Sequence, residues 1–314
     1  MIRSYLEMVV SGCLRAVVSA PAIEDSAAAL RRKDLLSAGP VASAGKCRLE
    51  EHLDYLVGKR RLDPGRPLLA IGLRNNLVNP RALLLHEGEP FAVEGERPLE
   101  SRRPYFGIGW RDGVFVADTV QGSREMSRWQ TFFSGVPVLW DDWNADEFLG
   151  HILTEASDHS HVYDLPRGNH PAATDHSRAA WAGLQEVFLE NLHADFETAS
   201  RAMHEAVRRS GYPLERCDSY LHSVLGVDSR GRLVNVVGHG RLEALGRAAA
   251  ALDCRHAVCV ENSGSVMPTW LPDGAQGEPL PLLRAPNFRP KGRALLVLEL
   301  DSARFETLVT EPRS

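Results

Sequence analysis

The sequence predicts an α+β fold, a mixed or antiparallel sheet with packed helices, and three patterns support this prediction. Short β-type runs separated by turn residues occupy the chain from Pro67 to Trp140. A helical pattern then fills residues 144–213 and forms an insertion. After the insertion, two strand patterns, a helix pattern and a further strand pattern follow in close order. The chain has 314 residues, of which 44% are apolar and 25% charged, so it is long enough to bury a substantial core.

Changes in composition divide the chain into three parts. Residues 1–66 contain an Ala/Ser-rich stretch and the charged run Arg31–Asp34 but show little strand character. They are therefore predicted to form an N-terminal extension that is helical or loosely packed. Residues 67–300 form the main domain, which the helical insertion 144–213 interrupts. Residues 301–314 remain as a C-terminal tail.

The first half of the main domain is predicted to be a series of short strands. Turn signals such as Asp63-Pro64-Gly65, Glu87-Gly88 and Asp112-Gly113 precede or separate them, which is the spacing of an antiparallel or mixed sheet. The predicted strands are 68–72, 82–86, 90–93, 113–118 and 135–140.

The insertion is predicted to contain one long amphipathic helix. Thr174–Ser177 is a cluster of good N-cap residues, and Ser210-Gly211 with Pro213 provides the stop. Apolar residues recur between them at three- or four-residue steps. This stripe needs an apolar partner, which is either the β-domain or a second copy of the chain in a homodimer. Its members are Trp181, Leu184, Phe188, Leu192, Phe196, Ala199, Met203 and Val207.

The last third of the chain is predicted to begin with a β-hairpin. Strands 219–227 and 232–237 surround the turn Asp228–Gly231, because Asp, Ser and Gly stand between two β-branched runs. The elements that follow are a helix at 242–252, a strand at 256–261 and a last strand at 293–300.

Charge and cysteine content exclude several classes of partner and site. The net charge of −5 and the pI near 6.2 lack the basic surface that nucleic-acid binding needs. No apolar run approaches the about 20 residues of a membrane span, so no membrane partner is expected. The five cysteines are scattered without a Cys-x-x-Cys pair, which indicates neither a disulfide framework nor a zinc knuckle. Glu7 and Arg15 interrupt the N-terminal apolar run, which is too short for a signal peptide, so a cytoplasmic location is expected.

Four motifs in the last third occur in the order and spacing of a known family. They are His222–Asp228, Gly231–Leu233, Val236–Arg241 and the loop Glu261–Ser265. In this order they resemble the phosphodiester glycosidase family, whose core reads Arg-Thr-Ala-x-Gly, then a hairpin ending near Asp-Gly-Arg, then a helix and a strand ending in Asp-Gly-Gly-Gly-Ser. Looser matches are Asn75-Asn76 to Pro90, Ser134–Leu139 and Pro286–Arg289.

The resemblance implies a phosphodiester glycosidase-like fold and hydrolysis of a sugar-1-phosphate diester, with no metal or other cofactor. The chain departs from the family pattern at three positions. His222 stands where the family has Arg, His239 where it has the hairpin Asp, and Glu261 where it has the Asp that begins the Gly-rich loop. Losing the arginine removes the planar fork that suits phosphate.

The candidate site combines Glu261, His222 and His239 as catalytic residues. Glu261 ends an apolar run at the mouth of the core, where a desolvated carboxyl suits general acid or base work. His222 and His239 lie on the two hairpin strands and are expected to face one site, where they would bind the leaving group or shuttle its proton. Small residues in the loop after Glu261 let a ligand approach the backbone. The candidate substrate-binding residues are Asn75, Asn76, Ser223, Arg241, Asn262, Ser263, Gly264, Ser265 and Asn287.

These features predict a hydrolase or a diverged tailoring enzyme that acts on a glycosyl or phosphorylated small molecule. Two alternatives stay open. A metal-dependent hydrolase would use the histidines of the insertion, among which His159-Ser160-His161 has the alternation of two zinc ligands on one strand, although the same segment suits a polar solvated loop. A non-catalytic carbohydrate-binding protein would keep ligand recognition in the altered loop without turnover. The histidines that cluster in the first part of the insertion are His151, His159, His161, His170 and His176.

Overall fold

The computed structural model describes most of the chain outside the insertion. The described residues are 3–22, 24, 46–73, 83–93, 105–121, 123–141, 143–144, 221–239, 242–262, 268–283, 291–301 and 305–308, with separate positions between 175 and 209.

Nineteen strands and three α-helices have both ends within these residues. The strands are β1 (Arg3–Val10), β2 (Cys13–Ser19), β3 (Cys47–Arg48), β4 (Leu68–Leu73), β5 (Leu83–His86), β6 (Glu89–Val93), β7 (Tyr105–Arg111), β8 (Val114–Val120), β9 (Thr131–Ser134), β10 (Val136–Trp140), β11 (Trp143–Asn144), β12 (Leu221–Asp228), β13 (Leu233–His239), β14 (Cys254–Asn262), β15 (Thr269–Leu271), β16 (Leu280–Pro281), β17 (Lys291–Gly292), β18 (Ala294–Leu300) and β19 (Phe305–Leu308). The helices are α1 (Leu49–Gly58), α2 (Ser123–Met126) and α3 (Leu242–Ala251).

The strands form three larger sheets and one two-stranded ribbon. Sheet A has seven strands in the order β11-β10-β14-β12-β13-β1-β19. Sheet B has five strands in the order β16-β15-β4-β18-β2, and sheet C has five in the order β6-β5-β9-β7-β8. The ribbon pairs β3 with β17. The strands predicted before the insertion are present as β4, β5, β6, β8 and β10, and β7 and β9 occur in addition.

The predicted α+β class is wrong, because the described residues are mainly antiparallel β-structure. Every strand pair among them is antiparallel, and of the three helices only α1 and α3 reach ten residues. The difference arises at the two ends of the chain, where residues expected to form an extension and a tail provide strands of sheets A and B instead.

The described residues among the first 66 form β1, β2, β3 and helix α1, whereas the composition predicted a helical or loosely packed extension with little strand character. β1 lies between β13 and β19 in sheet A, and β2 is the edge strand of sheet B beside β18. Gly12, with a φ of 70°, turns the chain from one sheet to the other. Met8 to Ala20 form one nearly continuous apolar run. The sequence pattern therefore does not show that this run contains parts of two strands that belong to different sheets. The predicted tail 301–314 likewise contains β19, which pairs with β1.

The predicted hairpin is confirmed as β12 and β13, and its turn is built around one carboxylate. Asp228 Oδ1 accepts hydrogen bonds from the backbone N–H groups of Arg230 and Arg232, each at 2.9 Å. Its Oδ2 accepts a hydrogen bond from Arg232 Nε at 2.7 Å. Gly231 has a φ of 73°, which the turn requires. The Asp and Gly of the turn therefore explain why the two strands pair in register.

Sheet B lies between two apolar layers, because successive side chains along its strands point to opposite faces. Leu69 and Ile71 of β4 join the central core with residues of sheets A and C, whereas Leu68 and Ala70 join a second cluster. That second cluster contains Leu53 and other apolar residues of α1, so the helix covers the outer face of sheet B. β18 has both faces covered and its seven residues are all buried, and six of them are apolar, the exception being Glu299.

Sheet C and helix α3 are held by close backbone contacts at glycines. The indole of Trp129 lies against Gly109 of β7, so that a Cβ at this position would be 2.1 Å from Trp129 Cε3. A Cβ at Gly246 would lie 2.8 Å from the carbonyl oxygen of Val138, which brings α3 close to β10 of sheet A. Both glycines therefore serve packing, because any side chain would push two elements apart.

The described positions of the insertion are partly helical, but the predicted apolar stripe from Trp181 to Val207 lies outside the described residues. Its burial against the β-domain or a second chain stays a prediction. None of the helices within the described residues is long and apolar enough to cross a membrane.

Candidate functional site

Three strands of sheet A meet at one end of the sheet, and they carry the residues expected in the site. β12 begins at Leu221, β13 ends at His239 and β14 ends at Asn262. In the register, Ser223 of β12 lies opposite Glu261 on one side and opposite Val237 on the other. The Ser223 and Glu261 side chains therefore stand side by side on one face of sheet A, which we call the Glu261 face.

A β-bulge directs Glu261 to this face. Ser223 pairs with Glu261, but the next residue, Val224, pairs with Cys259, so Val260 is an extra residue in β14. In a regular strand Glu261 and Cys259 would share one face, whereas the bulge places them on opposite faces. Glu261 is only 4% exposed. The bulge thus turns a carboxyl group toward Ser223 at the point where β14 ends.

The two histidines do not face one side of the sheet, so this expectation is wrong. His239 pairs with Leu221, which alternation places on the same face as Ser223 and Glu261. His222 pairs with Gly238 on one side and with Asn262 on the other, and its side chain therefore points to the opposite face. The hairpin register makes this outcome unavoidable, because the two histidines belong to neighbouring cross-strand pairs. Of the two, only His239 shares the face of Glu261.

Asn235 is a polar residue of the same face that the sequence analysis missed. Its Nδ2 donates hydrogen bonds to Ser223 Oγ at 2.9 Å and to the Val224 carbonyl oxygen at 3.1 Å. Asn235 is fully buried, and its Oδ1 has no hydrogen-bond partner among the described residues. Since the amide donates to Ser223 Oγ, the proton of the Ser223 hydroxyl is left to donate to another acceptor. A single amide within the apolar run Val234–Val237 was the available signal.

An apolar cluster flanks these polar groups and connects sheet A to sheet B. Leu221 and Val237 pack with Leu6 of β1, and Leu282 and Leu283 pack against them. The N–H of Leu282 donates to the carbonyl oxygen of Pro268, the residue before β15, at 2.9 Å. The part of sheet B around Pro268 therefore lies next to the Glu261 face of sheet A.

Most of the predicted substrate-binding residues lie outside the described residues. Ser223 is described in full, and Asn262 only as the last backbone position of β14. The residues outside are Asn75, Asn76, Arg241, Ser263, Gly264, Ser265 and Asn287. The histidines of the insertion also lie outside, so the metal-dependent alternative stays a prediction. Within the described part of the chain, no group of three or more His, Cys, Asp and Glu residues could hold a metal ion.

The chain matches no protein-family model and none of the curated proteins. Among solved structures, it is similar to the zebrafish N-acetylglucosamine-1-phosphodiester alpha-N-acetylglucosaminidase catalytic domain auto-inhibited by its pro-peptide, over 91% of this chain and 73% of that chain, with a TM-score of 0.44 and 10% identity. This is a weak similarity to a glycosidase catalytic domain. It establishes neither the family nor an activity, and the phosphodiester glycosidase assignment remains a resemblance.

Proposed function

We propose that the protein is a hydrolase of a glycosyl or phosphorylated small molecule in which Glu261 does the acid and base work. One observation carries the proposal: a bulge at Val260 places the buried Glu261 beside Ser223, where β14 ends. Bulges are common beside active sites because they redirect single side chains. A carboxyl group withdrawn from water at the end of a strand suits proton transfer to and from a bound substrate.

In the proposed reaction, the oxygen of water forms a bond to the electrophilic carbon of the substrate and the bond to the leaving-group oxygen breaks. Glu261 donates its proton to the leaving oxygen and recovers one from the attacking water, so the carboxyl group is unchanged after one cycle. Ser223, whose oxygen already accepts from Asn235, donates its proton to a substrate oxygen. His239 lies on the same face and binds the leaving group.

His222 takes a different role from His239 in this proposal. Because it points to the opposite face and pairs with Asn262, it supports the start of the loop after β14 and does not contact the substrate. His239→Ala is therefore expected to weaken turnover directly. His222→Ala is expected to act mainly through the loop, which would appear as a higher KM with a smaller change in kcat.

The decisive test is Glu261→Gln, which keeps the size of the side chain but removes its charge and its titration. Turnover of sugar phosphodiesters and aryl glycosides should fall by about 10²–10⁴-fold, the usual contribution of a general acid or base, with unchanged thermal unfolding. The matched control is Glu278→Gln, because Glu278 is an exposed glutamate in the loop after β15. Full turnover by Glu261→Gln would end the proposed mechanism.

The same assay separates the two alternatives. A chelator should leave turnover intact, whereas stoichiometric zinc whose removal abolishes turnover would identify the metal-dependent hydrolase. Carbohydrate binding by the wild-type protein without turnover of any substrate would identify a binding protein.

A further inference from the structure

Arg293 is a half-buried arginine, and part of its guanidinium group lacks hydrogen-bond partners among the described residues. It stands at a bend between β17 of the ribbon and β18 of sheet B. Its Nε and Nη1 atoms are both buried, and neither has a hydrogen-bond partner among the described residues. These two nitrogens lie on different edges of the planar group, so each edge has an N–H group without an acceptor among the described residues.

An anion would satisfy the buried N–H groups of such an arginine and balance its charge. Arginine keeps its charge at any ordinary pH, so burial cannot be relieved by loss of a proton, as it is for lysine or histidine. Buried polar groups of native proteins are nearly always hydrogen-bonded, and a buried charge without a partner is strongly unfavourable. An oxyanion bound to Arg293 would supply both the counter-charge and several acceptor oxygens.

Arg293 lies at the end of sheet B that adjoins the Glu261 face. Ala294, the next residue, pairs with Leu73 at the end of β4, and Thr269 pairs with Ala70 of the same strand. Pro268, which contacts the apolar cluster through Leu282, therefore lies near the same end of β4. β15 and β18 flank β4, so two strand spacings of about 4.8 Å each separate the two chain segments laterally.

We propose that Arg293 binds a phosphate-type oxyanion of the small molecule on which Glu261 acts. The inference rests on the proposed function and narrows its substrate class to phosphorylated molecules. Glu261 serves proton transfer from sheet A, and Arg293 holds the phosphate group from sheet B. A neutral glycoside lacks this anchor and is expected to bind poorly.

Inorganic phosphate is a probe that tests this without turnover. Phosphate should bind the full-length wild-type protein in calorimetric titration and raise its Tm, and chloride at equal ionic strength should not. Arg293→Met should reduce the phosphate affinity by about 30-fold or more, because it removes one partner of a buried charge pair. The Tm of this variant without phosphate should equal or exceed that of the wild type, since the unpaired charge is gone.

Two further variants complete the experiment. Arg293→Lys keeps the charge but loses the planar fork, and its phosphate affinity should lie between those of the wild type and Arg293→Met. Arg124→Met is the matched control, because Arg124 is an exposed arginine of α2 in another part of the fold, and it should bind phosphate normally. Equal phosphate affinity in Arg293→Met and Arg124→Met, or no phosphate binding by the wild type, would overturn the inference.

Failure of the inference and failure of the proposed function are distinguishable. If phosphate binding depends on Arg293 but Glu261→Gln keeps full turnover, the oxyanion site stands and the acid and base role of Glu261 falls. If Glu261→Gln abolishes turnover while Arg293→Met changes neither phosphate affinity nor KM, the hydrolase stands and the oxyanion site falls.

Discussion

The Glu24 carboxylate provides the sharpest test of the role of the first 66 residues. Glu24 follows β2, and its two oxygens accept hydrogen bonds from Arg61 Nη1 at 2.9 and 3.0 Å. Its Oε2 also accepts a hydrogen bond from Tyr55 Oη of α1 at 2.8 Å. The Glu24 side chain is 11% exposed and that of Arg61 is 24% exposed, so the pair is largely withdrawn from water. The network joins β2 to α1 and to the segment after it.

Replacing one residue of the Glu24–Arg61 pair should lower the free energy of unfolding more than replacing both residues does. Arg61→Met leaves a largely buried carboxylate with Tyr55 as its remaining donor in the network, and should destabilise the fold by about 3 kcal/mol, the lower end for a broken buried pair because water still reaches Arg61. Glu24→Met combined with Arg61→Met removes the unpaired charge as well, and should cost only about 1 kcal/mol. Tyr55→Phe removes one hydrogen bond to a charged acceptor and should cost about 1.5 kcal/mol.

The assay is thermal unfolding followed by circular dichroism at pH 7.5. At about 2 °C per kcal/mol for a chain of this size, Arg61→Met should lower the Tm by about 6 °C and the double variant by about 2 °C. Arg255→Met is the matched control, because Arg255 pairs with Asp141 but the two side chains are 77% and 52% exposed. It should change the stability by less than about 1 kcal/mol. If Arg61→Met behaves like Arg255→Met, or if the double variant is less stable than the single one, the reasoning about this network is wrong.

Two further predictions concern buried groups elsewhere in the fold. His52 Nε2 donates to the Gly292 carbonyl oxygen and its Nδ1 accepts from Ser19 Oγ, each at 3.0 Å, and burial lowers the pKa of His52 below its usual 6.5. Below pH 6.5, His52 is therefore protonated in the unfolded chain but stays neutral in the folded protein. The urea midpoint of unfolding should fall as the pH decreases from 6.5, and the midpoint of His52→Leu should depend less on pH. Gly109→Ala should lower the Tm strongly, because the new Cβ would lie 2.1 Å from Trp129 Cε3, whereas Gly58→Ala, with nothing within 4 Å of its Cβ, should leave the Tm unchanged or slightly raised. Equal effects of the two glycine substitutions would show that Trp129 can move away.

The site shows where sequence patterns are sufficient and where they are not. A hairpin, a helix and a strand in this order bring His239 and Glu261 to one end of sheet A. This order is predictable from the sequence, because turn residues and apolar periodicity determine local structure over a few residues. The bulge at Val260 is not predictable in this way, since it depends on how β14 pairs with β12 and β10. For the same reason the opposite orientations of His222 and His239 follow only from the register. Arg293 stands out only once the burial of its guanidinium nitrogens is known.

Local chemistry in the sequence determined most individual strands, the Asp228 turn and helix α3, because each depends on neighbours along the chain. The tertiary structure alone decided the fold class, because β1 and β19 join sheet A from the two ends of the chain. It also decided which side chain faces Glu261, since a shift of one residue in strand register reverses every face. The register between distant strands is set by the burial of whole apolar faces. The free energy gained by this burial arises only when the sheets assemble, so no single segment of the sequence reveals it.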